Sequence, residues 1–285
     1  MSLRAKRSGD PQSPDIMLKI NYMKSNKSFI ISLFSGIIFI LLLSPYANAQ
    51  GIEALKGKKV LFTYGGWDGH QPVECRDIFV PWLKSAGAEV FVFDNLRCYT
   101  DTALMKKIDL IIQIWTMGEI KQDEERGLLG AVKRGVGLAG WHGGIGDSFR
   151  NNVEFQYMVG GQWVAHPGGV IPYEVNIKDK TDPVTKGLKD FKMNSEQYYV
   201  HVDPNVKVLA TTTFSGNHDF WIKGAVIPVT WKKIYGKGRV FYSSLGHVAK
   251  DFDVPEALEI MKRGICWAAL SLHEDTENLI KPVYK

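Results

Sequence analysis

The chain has 285 residues and a formal charge of +5. Six of its basic residues but only two of its acidic residues precede residue 50, which leaves 29 Lys and Arg against 28 Asp and Glu in the rest. This near-neutral balance gives no reason to expect nucleic acid or an anionic membrane surface as a partner. Cys75, Cys98 and Cys266 form no C-x-x-C or Cys/His repeat. Their spacing excludes a zinc finger and a disulfide framework, and it predicts buried or free thiols.

The first 49 residues have the layout of a secretory signal peptide. Basic residues precede an apolar run at residues 29–43, and Ala47-Asn48-Ala49 is a small-x-small cleavage site. The run is shorter than the roughly 20 residues of a membrane-spanning helix, although a retained N-terminal anchor is the alternative. We therefore expect an N-terminal extension and signal peptide over 1–49 and a single domain over 50–285. The protein would be exported, periplasmic or secreted, with no stable membrane anchor after cleavage.

From residue 58 onward, short apolar runs alternate with amphipathic segments. Alternation of this kind, with strands that are apolar throughout, predicts a parallel sheet covered by helices on both faces, in three α/β/α layers. The predicted strands are residues 58–64, 89–93, 109–114 and 136–139, and the predicted helices are residues 72–86, 101–107 and 119–134.

The second half changes character, because its apolar runs are bounded by Pro, Gly and Asp. These runs predict strands that extend the sheet, partly in antiparallel fashion, followed by a hairpin and a C-terminal helix. We expect a helix at 148–159, strands at 171–177, 192–202 and 206–213, a hairpin of 227–234 with 239–243, and a helix at 255–270 capped by Asp253.

The segment Gly140-Trp141-His142-Gly143-Gly144 follows the fourth predicted strand. It indicates a tight turn with a histidine at its apex, similar in form to the G-x-S-x-G elbow that places one side chain beyond the end of a parallel sheet. A histidine can transfer protons or bind a metal, but it is a poor candidate for a lasting acyl-enzyme. The pattern therefore predicts an active-site position at His142 without a covalent nucleophile.

Tryptophans cluster with polar residues at the ends of the predicted strands. Ligands of open α/β sheets bind at the carboxyl ends of the strands, and indole rings beside polar groups suit a sugar. The alternative is that these rings cap the edge of the core. The predicted substrate contacts are Trp67, Asp68, Trp141, Trp163 and Tyr198.

Further titratable side chains could complete an active site. Glu196 lies among aromatic residues, where burial would raise its pKa and suit general acid or base catalysis; an exposed strand-edge glutamate is the alternative. We predict His142, Glu196 and His247 as catalytic groups. His70 and His166, with His142 or His247, could bind zinc or another divalent metal, although no H-E-x-x-H spacing is present and a metal-free acid/base pair remains open. No cofactor is certain.

Taken in order, these motifs resemble the ThuA-like (trehalose utilisation) family, whose fold is similar to class I glutamine amidotransferases. The resemblance implies a flavodoxin-like doubly wound sheet, mostly parallel, with His142 in place of the amidotransferase cysteine and His247 near the position of its histidine. It also implies a role in disaccharide or keto-sugar metabolism. The matching pieces are His70, GLAGWHGG with His142, VAHPGG with His166, SEQYY with Glu196, PVTW at 228–231 and GKGRVFYSSLGH ending in His247.

Two functions from different classes follow from this pattern. The first is an exported enzyme of carbohydrate metabolism, a hydrolase, isomerase or lyase that acts on glycosides or keto-sugars by His/Glu acid-base chemistry, with or without a metal. The second is a non-catalytic carbohydrate-binding module. In both, the partner is a small-molecule carbohydrate, and the oligomeric state is not predicted. An amidase of the amidotransferase type is disfavoured, because none of the three cysteines lies in an elbow.

Overall fold

Residues 51–274 are described by this computed structural model, and strands alternate with helices along them. The predicted signal peptide lies outside this range. The strands are β1 (Lys59–Gly66), β2 (Glu89–Phe93), β3 (Leu110–Thr116), β4 (Gly137–Trp141), β5 (Gly161–Ala165), β6 (Val170–Ile177), β7 (Phe191–Glu196), β8 (Tyr199–Val202), β9 (Lys207–Thr213), β10 (Val226–Tyr235) and β11 (Gly238–Ser243). The helices are α1 (Pro72–Ser85), α2 (Thr102–Met105), α3 (Gln122–Arg134), α4 (Gly143–Gly146), α5 (Val153–Val159) and α6 (Pro255–Ala269).

Nine strands form one sheet in the order β2-β1-β3-β4-β11-β10-β9-β6-β7. The five strands from β2 to β11 are parallel, and β10, β9, β6 and β7 continue the sheet in antiparallel fashion. Strands β5 and β8 pair separately. The predicted fold class is confirmed: a flavodoxin-like α/β sheet with an added antiparallel portion.

The parallel strands are apolar on both faces because each face packs against helices. Phe62 belongs to the core cluster that contains Phe79 of α1 and Ile260 of α6. Its neighbour Leu61 belongs to the other cluster, with Leu128 of α3. Successive side chains of a strand point to opposite faces, so the unbroken apolar runs in the sequence build two cores, one on each side of the sheet.

The continuous strand predicted over 192–202 is wrong. The chain breaks between β7 and β8, which belong to different sheets. At the break, the buried side chain of Gln197 donates a hydrogen bond to Thr212 Oγ1 at 2.7 Å. Because its side chain contacts β9, Gln197 pairs with neither strand partner, and the chain turns between the end of β7 and the start of β8.

Other boundaries also differ from the sequence prediction. The helix expected at 148–159 begins only at Val153, because Asn152 caps it by accepting the Phe155 N–H at 2.8 Å. Asp253 does not cap the last helix, whose N-cap is Val254 with Pro255 at the first position. Residues Gly161–Ala165, around Trp163, form β5, for which the sequence analysis gives no strand. The three cysteines are free and buried, as predicted.

Candidate active site

The elbow predicted after β4 is present in the structure. His142 has φ 46° and ψ −139°, a left-handed conformation that costs a non-glycine residue roughly 1–3 kcal/mol and persists only where the surroundings hold it. Two contacts with the end of β11 hold it here. The His142 N–H donates to the Ser243 carbonyl at 2.7 Å, and the His142 Nδ1 lies 2.8 Å from the Ser244 carbonyl oxygen. The ring is therefore fixed at the carboxyl edge of the sheet.

Gly143 allows the elbow to pack closely against the loop after β1, which carries His70. A Cβ atom built on Gly143 would lie 2.4 Å from Cε1 of His70 and 3.0 Å from Cγ2 of Thr116. No real Cβ contact is that short, so any larger residue would displace the His70 ring. Gly143 thus leaves the space that the His70 ring occupies. The Nδ1 atom of His70 is also hydrogen-bonded to Thr116 Oγ1, at 2.8 Å.

Four histidines surround the carboxylate of Glu196 at the end of β7. Its Oε2 atom lies 3.1 Å from His142 Nε2, 3.3 Å from His247 Nδ1 and 4.0 Å from His70 Nε2. Its Oε1 atom lies 3.7 Å from His166 Nε2. The structure therefore brings together all five residues that the sequence predicts to be catalytic or metal-binding, and Glu196 is at their centre.

A layer of polar residues positions this cluster, and the sequence analysis did not identify it. Asp251 Oδ2 accepts the backbone N–H of His247 at 2.9 Å and the Ser195 hydroxyl at 2.6 Å. It thereby ties the loop after β11 to the residue before Glu196. Thr116, which orients His70, ends β3, so its place at a strand terminus was a usable signal. Asp251 carried no such signal, because it lies in a short 3-10 turn.

The electrostatics of the cluster favour neutral imidazoles at His70 and His142 beside an ionised carboxylate at Glu196. Burial, together with the nearby His142 and His247, lowers the pKa of His70 to about 3. Burial also lowers the pKa of His142, although the hydrogen bond with Glu196 opposes the shift. For Glu196, burial raises the pKa, but the contacts with His142 and His247 outweigh this and hold it well below its usual range. The raised pKa expected for Glu196 is therefore wrong, and this group is suited to be a base or a ligand.

Aromatic side chains stand around the cluster. The Tyr198 ring stacks on His142 at a centroid distance of 3.9 Å. Trp163 lies 5.6 Å from the His166 ring and 6.1 Å from Tyr198, and the Arg150 guanidinium lies over it at 4.6 Å. These rings form one wall of the site.

Trp67 provides a second, more open wall. Its side chain is 47% exposed, and its ring meets His70 edge-on at 4.8 Å. Asp68 is exposed on the same loop. Both residues lie beside the cluster, at a position where a bound molecule could reach them.

Trp141 does not belong to this site. It is 2% exposed and packs against Phe79 at 4.5 Å and Phe252 at 5.5 Å between ring centroids. It is the last residue of β4, and its side chain points into the core that α1 and α6 cover. Only the next residue, His142, is turned out by its positive φ. The prediction that Trp141 stacks on a substrate is therefore wrong.

A cavity of about 950 Å³ lies elsewhere in the protein, lined by residues such as Lys232 and Trp267, and none of the described residues that line it belongs to the cluster around Glu196. Several basic side chains line it, and acidic partners pair with some of them. Asp182 contacts Lys232 at 2.5 Å and Lys207 at 2.7 Å, and Glu259 contacts Arg263 at 2.6 Å. Within residues 51–274 the lining includes no histidine, so this cavity is a weaker candidate for acid-base chemistry than the cluster around Glu196.

The fold and the cluster together define a class: a flavodoxin-like α/β protein whose strand-end elbow carries a histidine within a histidine–carboxylate centre. Residues 59–268 match the model of the ThuA family, described as trehalose utilisation. The chain therefore belongs to the ThuA family, which confirms the resemblance found in the sequence.

Solved structures of ThuA-like proteins have the same fold. One from Bacteroides uniformis is 16% identical to this chain, with a TM-score of 0.62, and the match spans 80% of this chain and 96% of the Bacteroides chain. One from Parabacteroides merdae is 18% identical to this chain, with a TM-score of 0.60, and the match spans 75% of this chain and 90% of the Parabacteroides chain. A glutamine amidotransferase from Thermotoga maritima is 12% identical with a TM-score of 0.43, over 74% of this chain and 90% of its own. No curated protein matches the chain.

Proposed function

We propose that this protein is an enzyme of carbohydrate metabolism that acts on a glycoside or a keto-sugar at the centre around Glu196. The observation that carries the proposal is the approach of His142 and His247 to one carboxylate oxygen, at 3.1 and 3.3 Å, in a site with aromatic walls. The family description, trehalose utilisation, supports a sugar as the substrate.

The proposed chemistry is proton transfer beside a carbonyl group. The carboxylate of Glu196, ionised beside neutral His70 and His142, is free to accept a proton at neutral pH. In this scheme Glu196 or His142 takes the proton from the carbon next to the ketone, and the electron pair passes to the ketone oxygen as an enolate. The abstracted proton passes to His247, whose Nδ1 lies 3.3 Å from Glu196 Oε2. His247 then returns it, either to a neighbouring carbon in an isomerisation or to a departing glycosidic oxygen in an elimination. Water then adds to the product of elimination, which completes hydrolysis.

The aromatic walls suit the recognition of a sugar ring. Trp67 and Trp163 offer flat apolar faces to the C–H face of a pyranose, while its hydroxyl groups find polar partners nearby. Tyr198 lies beneath, stacked on His142, and Asp68 lies at the outer edge. Substitution of either tryptophan should therefore weaken substrate binding more than it slows turnover.

The enzymatic proposal is tested by incubating the purified protein with glucosides and 3-keto-glucosides, with and without added Zn²⁺. We expect turnover that Glu196→Gln and His142→Ala abolish. His201→Ala is the matched control, because His201 is an exposed histidine on β8 with no contact to the cluster among the described residues. Absence of turnover for every substrate under both conditions would overturn the enzymatic reading.

The alternative is a carbohydrate-binding module that catalyses nothing. The exposed Trp67 and the half-buried Trp163 favour it, because stacking on a sugar needs no acid or base. The discriminating measurement is sugar affinity by calorimetry. A His142→Ala variant that keeps full affinity and full biological effect supports the binding module, whereas loss of turnover with retained affinity supports the enzyme.

We also propose that the protein is exported, with the segment before residue 50 serving as a signal peptide. Among the described residues, no helix is long and apolar enough to cross a bilayer. N-terminal sequencing of the protein recovered from cells tests the proposal. A mature chain that begins at Gln50 is expected, and a chain retained whole in the cytoplasm contradicts it.

A further inference from the structure

We propose that His70, His142, Glu196 and His247 form a binding site for one divalent metal ion of the zinc type. The site coincides with the centre discussed above, but metal binding does not require that the protein be a sugar enzyme. Three imidazole nitrogens and one carboxylate oxygen are a donor set that suits zinc. The remaining histidine, His166, lies outside this set.

The spacing of the four donor atoms fits a single ion. They all lie within 4.8 Å of one another. Around an ion with ligand bonds of about 2.0–2.1 Å, tetrahedral donors lie about 3.4 Å apart. Two of the distances to Glu196 Oε2, 3.1 Å from His142 and 3.3 Å from His247, are already of this size. The distance from His70 Nε2 to the same oxygen, 4.0 Å, is longer, so the His70 ring has to move inward.

The contacts of His142 leave its inner nitrogen free to coordinate. Its Nδ1 lies 2.8 Å from the carbonyl oxygen of Ser244, and a carbonyl can only accept, so Nδ1 carries the proton. In the neutral ring, Nε2 then directs a lone pair at Glu196 Oε2. Two acceptors facing each other at 3.1 Å repel unless a positive charge lies between them. A metal ion shared by both atoms supplies that charge.

The other donors show the same pattern. His70 uses Nδ1 to contact Thr116 Oγ1 and directs Nε2 inward, an arrangement by which outer hydrogen bonds commonly orient metal-binding imidazoles. His247 Nδ1 is buried and has no hydrogen-bond partner within residues 51–274, yet it lies 3.3 Å from Glu196 Oε2. This nitrogen is therefore available as a metal ligand, since no hydrogen bond within the described residues engages it.

The charge balance points the same way. Glu196 is 8% exposed, and each ion-pair partner that it has among the described residues is a histidine, with no Lys or Arg. A buried carboxylate needs a compensating positive charge. A divalent ion provides one without requiring that several crowded imidazoles take up protons together.

Metal binding would also divide the roles in the cluster. Glu196, His142 and His247 would act through the ion, as its ligands. His166 would stay free, with its Nε2 facing Glu196 Oε1 at 3.7 Å, and it would be the remaining group for proton transfer. His166→Ala should therefore leave metal affinity nearly unchanged while it removes any turnover that the protein has.

The test is a Zn²⁺ titration of the full-length purified protein by calorimetry, after dialysis against a chelator. We expect one equivalent to bind, and Co²⁺ to give the absorption spectrum of a tetrahedral site. Glu196→Gln and His247→Ala should lose more affinity than the roughly 10- to 100-fold expected for Thr116→Val, which removes only an outer hydrogen bond. His201→Ala is the control and should bind normally.

A second readout separates loss of the site from loss of the fold. Zn²⁺ should raise the melting temperature of the parent protein and of His201→Ala, but not that of a folded Glu196→Gln. No stoichiometric binding by the parent protein, or binding that Glu196→Gln leaves intact, would overturn the metal site. A zinc-loaded protein that turns over no sugar overturns only the enzymatic proposal, and a parent protein that turns over sugar but binds no Zn²⁺ overturns only the metal site.

Discussion

The strained apex of the elbow predicts an unusual order of stability between two variants. His142→Gly and His142→Ala both remove the imidazole and with it every contact to Ser244, Glu196 and Tyr198. They differ only in whether a Cβ remains on a backbone with φ 46°. We expect the glycine variant to be the more stable of the two, the reverse of the usual order.

The size of the difference follows from two opposing effects. A non-glycine residue in this conformation costs roughly 1–3 kcal/mol, which glycine avoids. Glycine loses more backbone freedom on folding, which costs roughly 0.5–1 kcal/mol relative to alanine. The net advantage of His142→Gly over His142→Ala is therefore roughly 0–2.5 kcal/mol.

Urea denaturation of both variants, in the presence of a chelator, measures this difference as a change in the unfolding free energy. Arg126→Gly and Arg126→Ala form the control pair, because Arg126 is exposed within α3. There the alanine variant should be more stable by about 1 kcal/mol. If His142→Ala is more stable than His142→Gly by as much as Arg126→Ala is over Arg126→Gly, the elbow is not strained, and the proposed cost of its positive φ is refuted.

Three further predictions concern packing and pH. Gly143→Ala should cost about 1–3 kcal/mol of stability by urea denaturation and displace the ring of His70 in a crystal structure, because the added methyl would lie 2.4 Å from its Cε1. Trp141→Ala should cost about 3–5 kcal/mol, whereas Trp67→Ala should change stability by less than about 1 kcal/mol and instead weaken sugar binding by calorimetry. The unfolding free energy of the metal-free protein should fall as pH drops below 6.5, because His70 gains a proton in the unfolded chain but stays neutral in the folded protein, where its pKa is about 3. This contributes a loss of about 1.4 kcal/mol at pH 5.5. His70→Gln should flatten the pH profile of stability measured in urea.

Each of these has a clear contrary result. An unmoved His70 in Gly143→Ala would show that the elbow has room that the structure denies it. Equal stability losses for Trp141→Ala and Trp67→Ala would contradict their placement in the core and at the surface. Identical pH profiles for the parent protein and His70→Gln would mean that His70 is not held neutral by its surroundings.

Most of the parallel half could be predicted because its signals are local. A buried parallel strand is an unbroken apolar run, and its carboxyl end lies at the edge where ligands bind. His70 after β1, His142 after β4 and His247 after β11 follow this rule directly. The spacing of apolar residues was therefore enough to place three of the histidines at one edge of the sheet.

The arrival of Glu196 and His166 at the same edge could not be derived in this way. Both come from the antiparallel half, where the direction of a strand does not determine which edge its end reaches. Register shifts between Pro228 and Trp231 in β10 interrupt the ladder with β9, and bulges of this kind bend a sheet. No local pattern encodes such a bend. Glu196 was connected with the elbow by its aromatic neighbours and by the family resemblance, not by the direction of its strand.

The two clearest errors had non-local causes. Trp141 and His142 are adjacent in sequence, yet one enters the core and the other the site, because the sign of φ at His142 depends on contacts with β11. The break after Glu196 carries no Gly or Pro. It results from a hydrogen bond between Gln197 and Thr212, residues that become neighbours only in the folded protein.

The cluster around Glu196 draws its members from five separate segments, from the loop after β1 to the loop after β11. No shorter part of the chain contains the whole set, so the site exists only when the parallel and antiparallel halves are both folded. A ligand that bridges His70, Glu196 and His247 would consequently stabilise the protein against global unfolding, by an amount that grows with the logarithm of its concentration. Binding and folding at this centre are thus linked, and protection of the most slowly exchanging backbone amides would report its occupancy.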